Sequence, residues 1–294
     1  MVFKRNKQTI IWAYIFLLPL ILGMSIFSII PITLSFAFST FDWVGFMHPK
    51  FIGLGNYFTA LKDPEIYKTI FNTFRIAVFV LPISLIISII IASALNKKIR
   101  FVSLYRVIYY LPVITMPAAI AMVWMYLYNY NYGIINFLLK TIGLKAVNWL
   151  GEPSIAWISI AIMSIWGSLG MQIIILLAGL QSVPYELYEA ADIDGANSMT
   201  KLFKITIPML SPHVFFLMIT GFIGLFQLFD PIYIMIGRGH SLITTKTIVY
   251  YFYDTAFRIS DKGYGATIAV IIFFIILIFT SIQLLLEKKW VYHD

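Results

Sequence analysis

The chain has 294 residues, of which 61% are hydrophobic, 17% aromatic and 12% charged, with a mean hydropathy of +0.89. Globular domains average about 45–50% apolar and about 25% charged residues, so this composition excludes a water-soluble enzyme and a disordered chain. The net charge of +8 reads as basic inner loops of a membrane protein rather than a nucleic-acid surface, and the lack of cysteine removes disulfides, thiolate nucleophiles and Cys-based metal sites.

A bilayer-crossing helix needs about 20 mostly apolar residues. Six runs qualify: 10–38, 70–95, 104–128, 155–180, 209–236 and 265–286. They leave an N-terminal segment 1–9, connections 39–69, 96–103, 129–154, 181–208 and 237–264, and a tail 287–294. The first run follows Lys4, Arg5 and Lys7 but is too long for the apolar core of a signal peptide. Pro19, Pro31, Pro82, Pro112 and Pro117 predict kinks within a packed bundle. Arg75 and Asp230 are the charges inside the second and fifth runs.

Lys and Arg are about twice as dense in the segments that lie inside if the N-terminus does. Lys97, Lys98, Arg100 and Arg106, with Lys288 and Lys289 in the tail, carry this asymmetry and predict that both termini are cytoplasmic. In 129–154, Ile134, Ile135, Phe137, Leu138, Leu139 and Ile142 recur at helical spacing and predict an interfacial helix. Trp43, Trp149 and Trp157 near run ends fit an aromatic belt.

The sequence has no G-x-x-x-x-G-K-[ST], H-E-x-x-H or G-x-S-x-G, and its four histidines are scattered. No catalytic residue and no metal or cofactor site is expected. Ion-driven carriers often hold several intramembrane ionisable groups. The scarcity of such groups here predicts a conduit powered from elsewhere.

The 181–208 connection breaks the basic pattern with four acids, Glu186, Glu189, Asp192 and Asp194. Ser182 and Pro184 suit a helix start, the two glutamates suit its first turns, and Gly195 suits a left-handed stop. Leu187, Ala190 and Ala191 share a face. A second short helix is expected from a Ser198 cap through Ile205, stopped before Pro208. A short helix of this kind fits a groove on a partner.

Glu189-Ala190-Ala191, with Gly195, Ile205 and Pro208 in register, resembles the EAA loop of permease subunits of binding-protein-dependent ABC importers. Ile207 stands where that pattern has Leu. Asp194, Ala196, Phe203 and Pro212 are similar to the carbohydrate-uptake branch. Further matches lie in Phe51–Tyr57, Asp63-Pro64, Asn72-Thr73, Arg106 to Pro112, Gly133 to Asn136 and Asn148 to Leu150. The N-terminal run looks like that of the first of two permeases in such systems.

The resemblance implies an all-α type I importer permease fold with six transmembrane helices, in a bacterial or archaeal cytoplasmic membrane. It implies a second permease, two ATP-binding subunits that hold ATP and Mg, and an extracytoplasmic solute-binding protein. Sugar is the implied substrate and membrane lipid the surroundings; no nucleic acid is involved. Glu186, Glu189, Ala190, Ala191, Asp194, Gly195 and Ala196 would form the ATPase coupling helix. The substrate path would draw on Trp166, Gly167, Ser168, Gly170, Met171 and Gln172 before that loop, and Gly221, Gly224, Phe226, Gln227 and Asp230 after it. The same machine for an amino acid or glycerol phosphate, an ion-coupled secondary carrier and a membrane-embedded enzyme remain the alternatives.

Overall fold

In a helix without surrounding water, every carbonyl that a proline deprives of its N–H partner needs another one. In the computed structural model, which describes residues 7–96 and 102–292, a hydroxyl or a widened turn answers that need at Pro31, Pro208 and Pro212. The helices are α1 (Lys7–Met24), α2 (Ile30–Phe38), α3 (Gly55–Ala60), α4 (Pro64–Leu95), α5 (Val102–Ile114), α6 (Pro117–Leu127) and α7 (Ile134–Thr141). They continue as α8 (Pro153–Ser182), α9 (Tyr185–Ile193), α10 (Ser198–Lys201), α11 (Ile207–Phe226), α12 (Leu242–Thr245), α13 (Ile248–Tyr253) and α14 (Lys262–Trp290). Among the described residues, five helical stretches are long and apolar enough to cross a bilayer, and a sixth arises only if α5 and α6 count as one. Lys4, Arg5, Lys97, Lys98 and Arg100 lie outside the described residues, as do the side chains of Lys7 and Arg106.

The chain forms two units, residues 1–63 with 252–273 and residues 64–251 with 274–294. In the first, α1 and α2 are joined through a π-helical turn at Ser25–Ile29, just before Pro31. Their side chains are largely exposed, as an all-apolar helix requires when its surroundings are lipid or another apolar chain. A two-residue hairpin follows, β1 (Phe41–Asp42) pairing antiparallel with β2 (Lys50–Phe51). Asn56 Nδ2 donates to the carbonyls of Ser39 (3.0 Å) and Phe41 (2.9 Å), and Tyr57 OH meets Ser39 Oγ at 2.7 Å. Tyr264 OH donates to Asp63 Oδ2 at 2.7 Å. A Cβ on Gly263 would lie 2.0 Å from the Phe41 carbonyl oxygen, so glycine lets the start of α14 meet the hairpin backbone. The Asn56, Tyr57 and Asp63 motif residues are thus ties within this unit.

In the second unit, α4 packs along α8, and α11 crosses both. The buried face of α4 interleaves small residues, Thr69, Thr73, Ala77, Ser84, Ser88 and Ala92, with aliphatic ones such as Ile76, Val80 and Leu85. Small residues allow close approach where lipid supplies no hydrophobic drive. Gln172 of α8 fastens this contact, donating from Nε2 to Ser84 Oγ (3.0 Å) and accepting from Ser88 Oγ (2.8 Å). On α11, the Pro208 carbonyl loses its helical partner to Pro212 and instead accepts from Ser211 Oγ at 2.6 Å. In the 129–154 connection, α7 leaves Ile134, Phe137 and Leu138 exposed, while buried Asn136 bonds Val147 and Trp149.

Two expected spans are not single helices. The 104–128 run breaks between Ile114 and Pro117, where α5 and α6 meet at 113°. Pro117 has no N–H and the residue before a proline avoids the α region, so Met116 turns extended (ψ 129°). The 209–236 run stops at Phe226, and helical structure resumes after residues 227–229. Arg75 lies well inside α4, with its guanidinium 4.4 Å from the Trp157 ring and Nη2 donating to the Thr244 carbonyl at 2.6 Å.

Two glycines one turn apart on α8 separate packing from space. A Cβ on Gly170 would sit 2.3 Å from the Tyr109 carbonyl oxygen, whereas one on Gly167 meets nothing within 4 Å. Gly170→Ala is expected to lower stability by about 1–3 kcal/mol, and Gly167→Ala to leave it unchanged. Thermal unfolding midpoints in detergent check this.

Candidate functional site

The 181–208 connection forms a helical loop fixed by its own ends. Ser182 is the last residue of α8 and does not cap α9; the position before α9 is held by Pro184 in an extended conformation. Proline there has the dihedral needed to turn the chain and no N–H to leave unsatisfied. Glu186 lies in the first turn, where the helix dipole favours an anion. At the other end Gly195 adopts φ +73°, its N–H bonds the Asp192 carbonyl (3.0 Å), and the Ala196 N–H bonds the Ala191 carbonyl (2.9 Å). This is a Schellman stop, and the spacing from Glu189-Ala190-Ala191 to Gly195 is the spacing the stop needs.

The second half differs from the expected capped helix. Asn197, not Ser198, is the cap, with Oδ1 accepting from the Thr200 N–H at 2.8 Å. The helix does not end before Pro208 either. It passes from α10 through a π-helical turn at Leu202–Thr206 into α11, with the Ile207 N–H bonding the Leu202 carbonyl. The wide turn places Pro208 at the start of a new α-helical stretch, where its missing N–H does little harm. Tyr188 OH meets Thr206 Oγ1 at 3.0 Å and Lys201 pairs with Asp192, so α9 is pinned to the root of α11. No residue of α9 is buried. Tyr185, Leu187 and Ile193 are exposed beside Glu186, Glu189, Ala190 and Asp194; Ala191 and Ala196 turn partly inward.

The second feature is a cavity of about 510 Å³ in the same unit, bounded by α4, α5, α6, α8 and α11. Gly167, Ser168, Met171, Gln172, Gly221, Gly224, Gln227 and Asp230 line it. Both helix breaks open onto it, through Thr115 and Pro117 on one side and Gln227 to Pro231 on the other. Irregular backbone at membrane depth is tolerated where it lines a cavity, and broken helices mark binding sites in transporters.

Three expected path residues lie elsewhere. Gly170 is covered by α5. Phe226 is fully buried and packs on Phe222 at 4.5 Å. Trp166 does not line the cavity and stacks edge-on against Trp124 at 5.8 Å. Gln172 touches the cavity, but its amide is committed to Ser84 and Ser88. The reading of the sequence missed α4, whose Val80, Leu81 and Ser84 form one wall, and the α5–α6 break. Pro112 and Pro117 five residues apart were the available signal for the break.

A family model for the inner membrane component of binding-protein-dependent transport systems matches residues 84–292. The chain belongs to this family. Relatives of this permease include the trehalose/maltose transport system permease of Thermococcus litoralis, 33% identical over 92% of each chain. The lactose transport system permease of Rhizobium radiobacter is 32% identical, also over 92% of each. The arabinooligosaccharide permease of Bacillus subtilis is 30% identical over 94% of this chain and 88% of that one. A chain of a bacterial alginate ABC transporter, solved with its alginate-pentasaccharide-bound periplasmic protein, superimposes with a TM-score of 0.83. It is 20% identical and covers 95% and 94% of the two chains. The permease is a multi-pass membrane protein.

Gly195→Val places a β-branched residue at positive φ and is expected to cost about 1–2 kcal/mol, while Gly195→Asn costs less. Hydrogen exchange at the Gly195 and Ala196 amides, faster in the valine variant, checks this.

Proposed function

We propose that this permease forms half of the translocation path of an ATP-driven sugar importer, working by alternating access. The observation that carries the reading is the convergence of two broken helices on one cavity within a membrane-embedded bundle. Gly167 and Gly224 face open space, and amide, hydroxyl and carboxylate groups beside apolar walls suit a ligand with polar edges and C–H faces. The sugar assignment draws on the named substrates of the relatives. Amino acid or glycerol phosphate import is the runner-up.

The partners in this reading are a second permease, two ATP-binding subunits and an extracytoplasmic solute-binding protein. ATP and Mg are held and used by the ATP-binding subunits. The basic residues at both ends and in the 96–103 connection support a cytoplasmic side for the termini and the 181–208 loop, in a bacterial or archaeal plasma membrane. There α9 docks in a groove of the ATPase, with Glu189 as its charged anchor and Tyr185, Leu187 and Ile193 as apolar contacts.

The path from that docking to the cavity is continuous. The α10–α11 stretch, Ser198–Phe226, runs 29 residues from the loop to the 227–229 break, a rise of about 43 Å. Through Tyr188–Thr206 and Lys201–Asp192, a displacement of α9 carries the root of this helix with it. Closure of the ATPase dimer would thus shift α11 as a rigid body and reshape the cavity wall.

Two measurements test the reading in proteoliposomes holding the assembled transporter. Gly224→Leu, at a position where a Cβ meets nothing within 4 Å, is expected to abolish uptake of the native sugar while leaving assembly and ATP-binding-subunit association intact. Full uptake would remove the cavity from the path. Glu189→Lys is expected to lower co-purification of the ATP-binding subunits at least tenfold with insertion unchanged. Gradient-driven uptake by the isolated chain would overturn the ATP-driven reading altogether.

A further inference from the structure

We infer that the cavity is an anion-excluding filter in which Asp230 selects uncharged, hydroxyl-rich saccharides against uronates, sulfonates and phosphates. The inference rests on the path assigned above and adds a substrate class to it. Asp230 is the only ionisable side chain among the described residues lining the cavity; none of them is Lys, Arg or His.

The remaining polar groups point the same way. Thr115 Oγ1 donates to the Leu111 carbonyl (2.7 Å), Ser164 Oγ to Ile160 (2.8 Å) and Ser168 Oγ to Ile165 (2.8 Å). Each hydroxyl has thereby spent its single hydrogen, and toward the cavity it offers only lone pairs. Ser84 Oγ donates to the Leu81 carbonyl (3.0 Å) and accepts one N–H of Gln172. The amide of Gln227 and the second N–H of Gln172 are the side-chain donors left uncommitted among the described lining residues.

A wall of this kind accepts hydrogen bonds. A sugar hydroxyl can donate to it, and donation to the Asp230 carboxylate is charge-assisted. A carboxylate, sulfonate or phosphate on the ligand finds two amide side chains as donors, no side-chain cation, and the like charge of an exposed Asp230. The alginate transporter of similar fold imports an acidic polysaccharide; this lining is built for the opposite preference.

The chain contains no cysteine, so a single reporter thiol can be placed in the cavity. Ser168→Cys is made in the full chain, in membranes carrying the assembled transporter. It is treated with methanethiosulfonates of similar size bearing a trimethylammonium, a neutral hydroxyl or a sulfonate group. The neutral reagent is expected to label. The cation-to-anion rate ratio, relative to a free thiol in solution, is expected to exceed unity and to fall about tenfold with Asp230→Asn. Asp230→Glu should preserve the ratio, and Asp230→Ser replaces the Asn variant if the latter fails to assemble. A ratio unmoved by loss of the carboxylate, or faster labelling by the sulfonate, overturns the filter and leaves the path standing. Failure of the neutral reagent to label overturns the path, and the filter with it.

Discussion

A peptide group buried in lipid without a hydrogen-bond partner costs several kcal/mol, and the arrangement of this permease follows from that constraint. Its long apolar stretches are helical because helix formation satisfies the backbone without help from any other segment. Where proline removes a donor, the remedy is local. Ser211 caps the carbonyl that Pro212 frees, and widened turns precede Pro31 and Pro208. Where the backbone departs from helix altogether, at residues 115–116 and 227–229, the chain borders one cavity, and a freed carbonyl can find a hydroxyl. The Leu228 carbonyl, for instance, accepts from Thr247 Oγ1 at 2.8 Å. The breaks and the cavity are therefore one feature. An unbroken α11 would leave no irregular wall, and a dry cavity would not tolerate the break.

Hydropathy made the long helices legible because a run of about 20 apolar residues has few other uses. The 181–208 loop was legible for a different reason. Its signal is local: the Schellman stop joins Ala191, Asp192, Gly195 and Ala196 within one turn, so spacing along the chain is spacing in the structure. The caps were harder, since Ser182, Pro184, Asn197 and Ser198 all suit a helix start and only the path of the flanking backbone chooses among them. Pro208 was misread because a proline stops an α-helical ladder but not one entered through a wider turn.

The cavity was legible in part. Gly167 and Gly170 are the same residue type on the same helix, yet three residues turn the backbone by about 300°, and one faces open space while the other meets α5. Gln172 has the chemistry of a sugar ligand, but its partners, Ser84 and Ser88, are more than 80 residues away in sequence. Nothing along α8 itself says whether an amide in a span is a staple or a ligand. The α4 wall was invisible for the same reason: Val80, Leu81 and Ser84 look like ordinary span residues until the helix opposite them is known.

The distribution of charge joins these levels. In water a surface carboxylate is weakly informative, because screening reduces its reach to roughly a Debye length. In this chain the exposed acids of α9 lie outside the apolar bundle, where a partner can meet them, and their energetic effect on the bundle is small. Asp230 occupies the other extreme. It sits at a helix break beside a cavity whose hydroxyl hydrogens are already committed, so its field is offset by no side-chain cation in the described lining. An exposed carboxylate whose field no neighbouring side-chain cation offsets is best accounted for by what passes it, and a donor-rich, uncharged ligand is the passenger that meets it with charge-assisted hydrogen bonds.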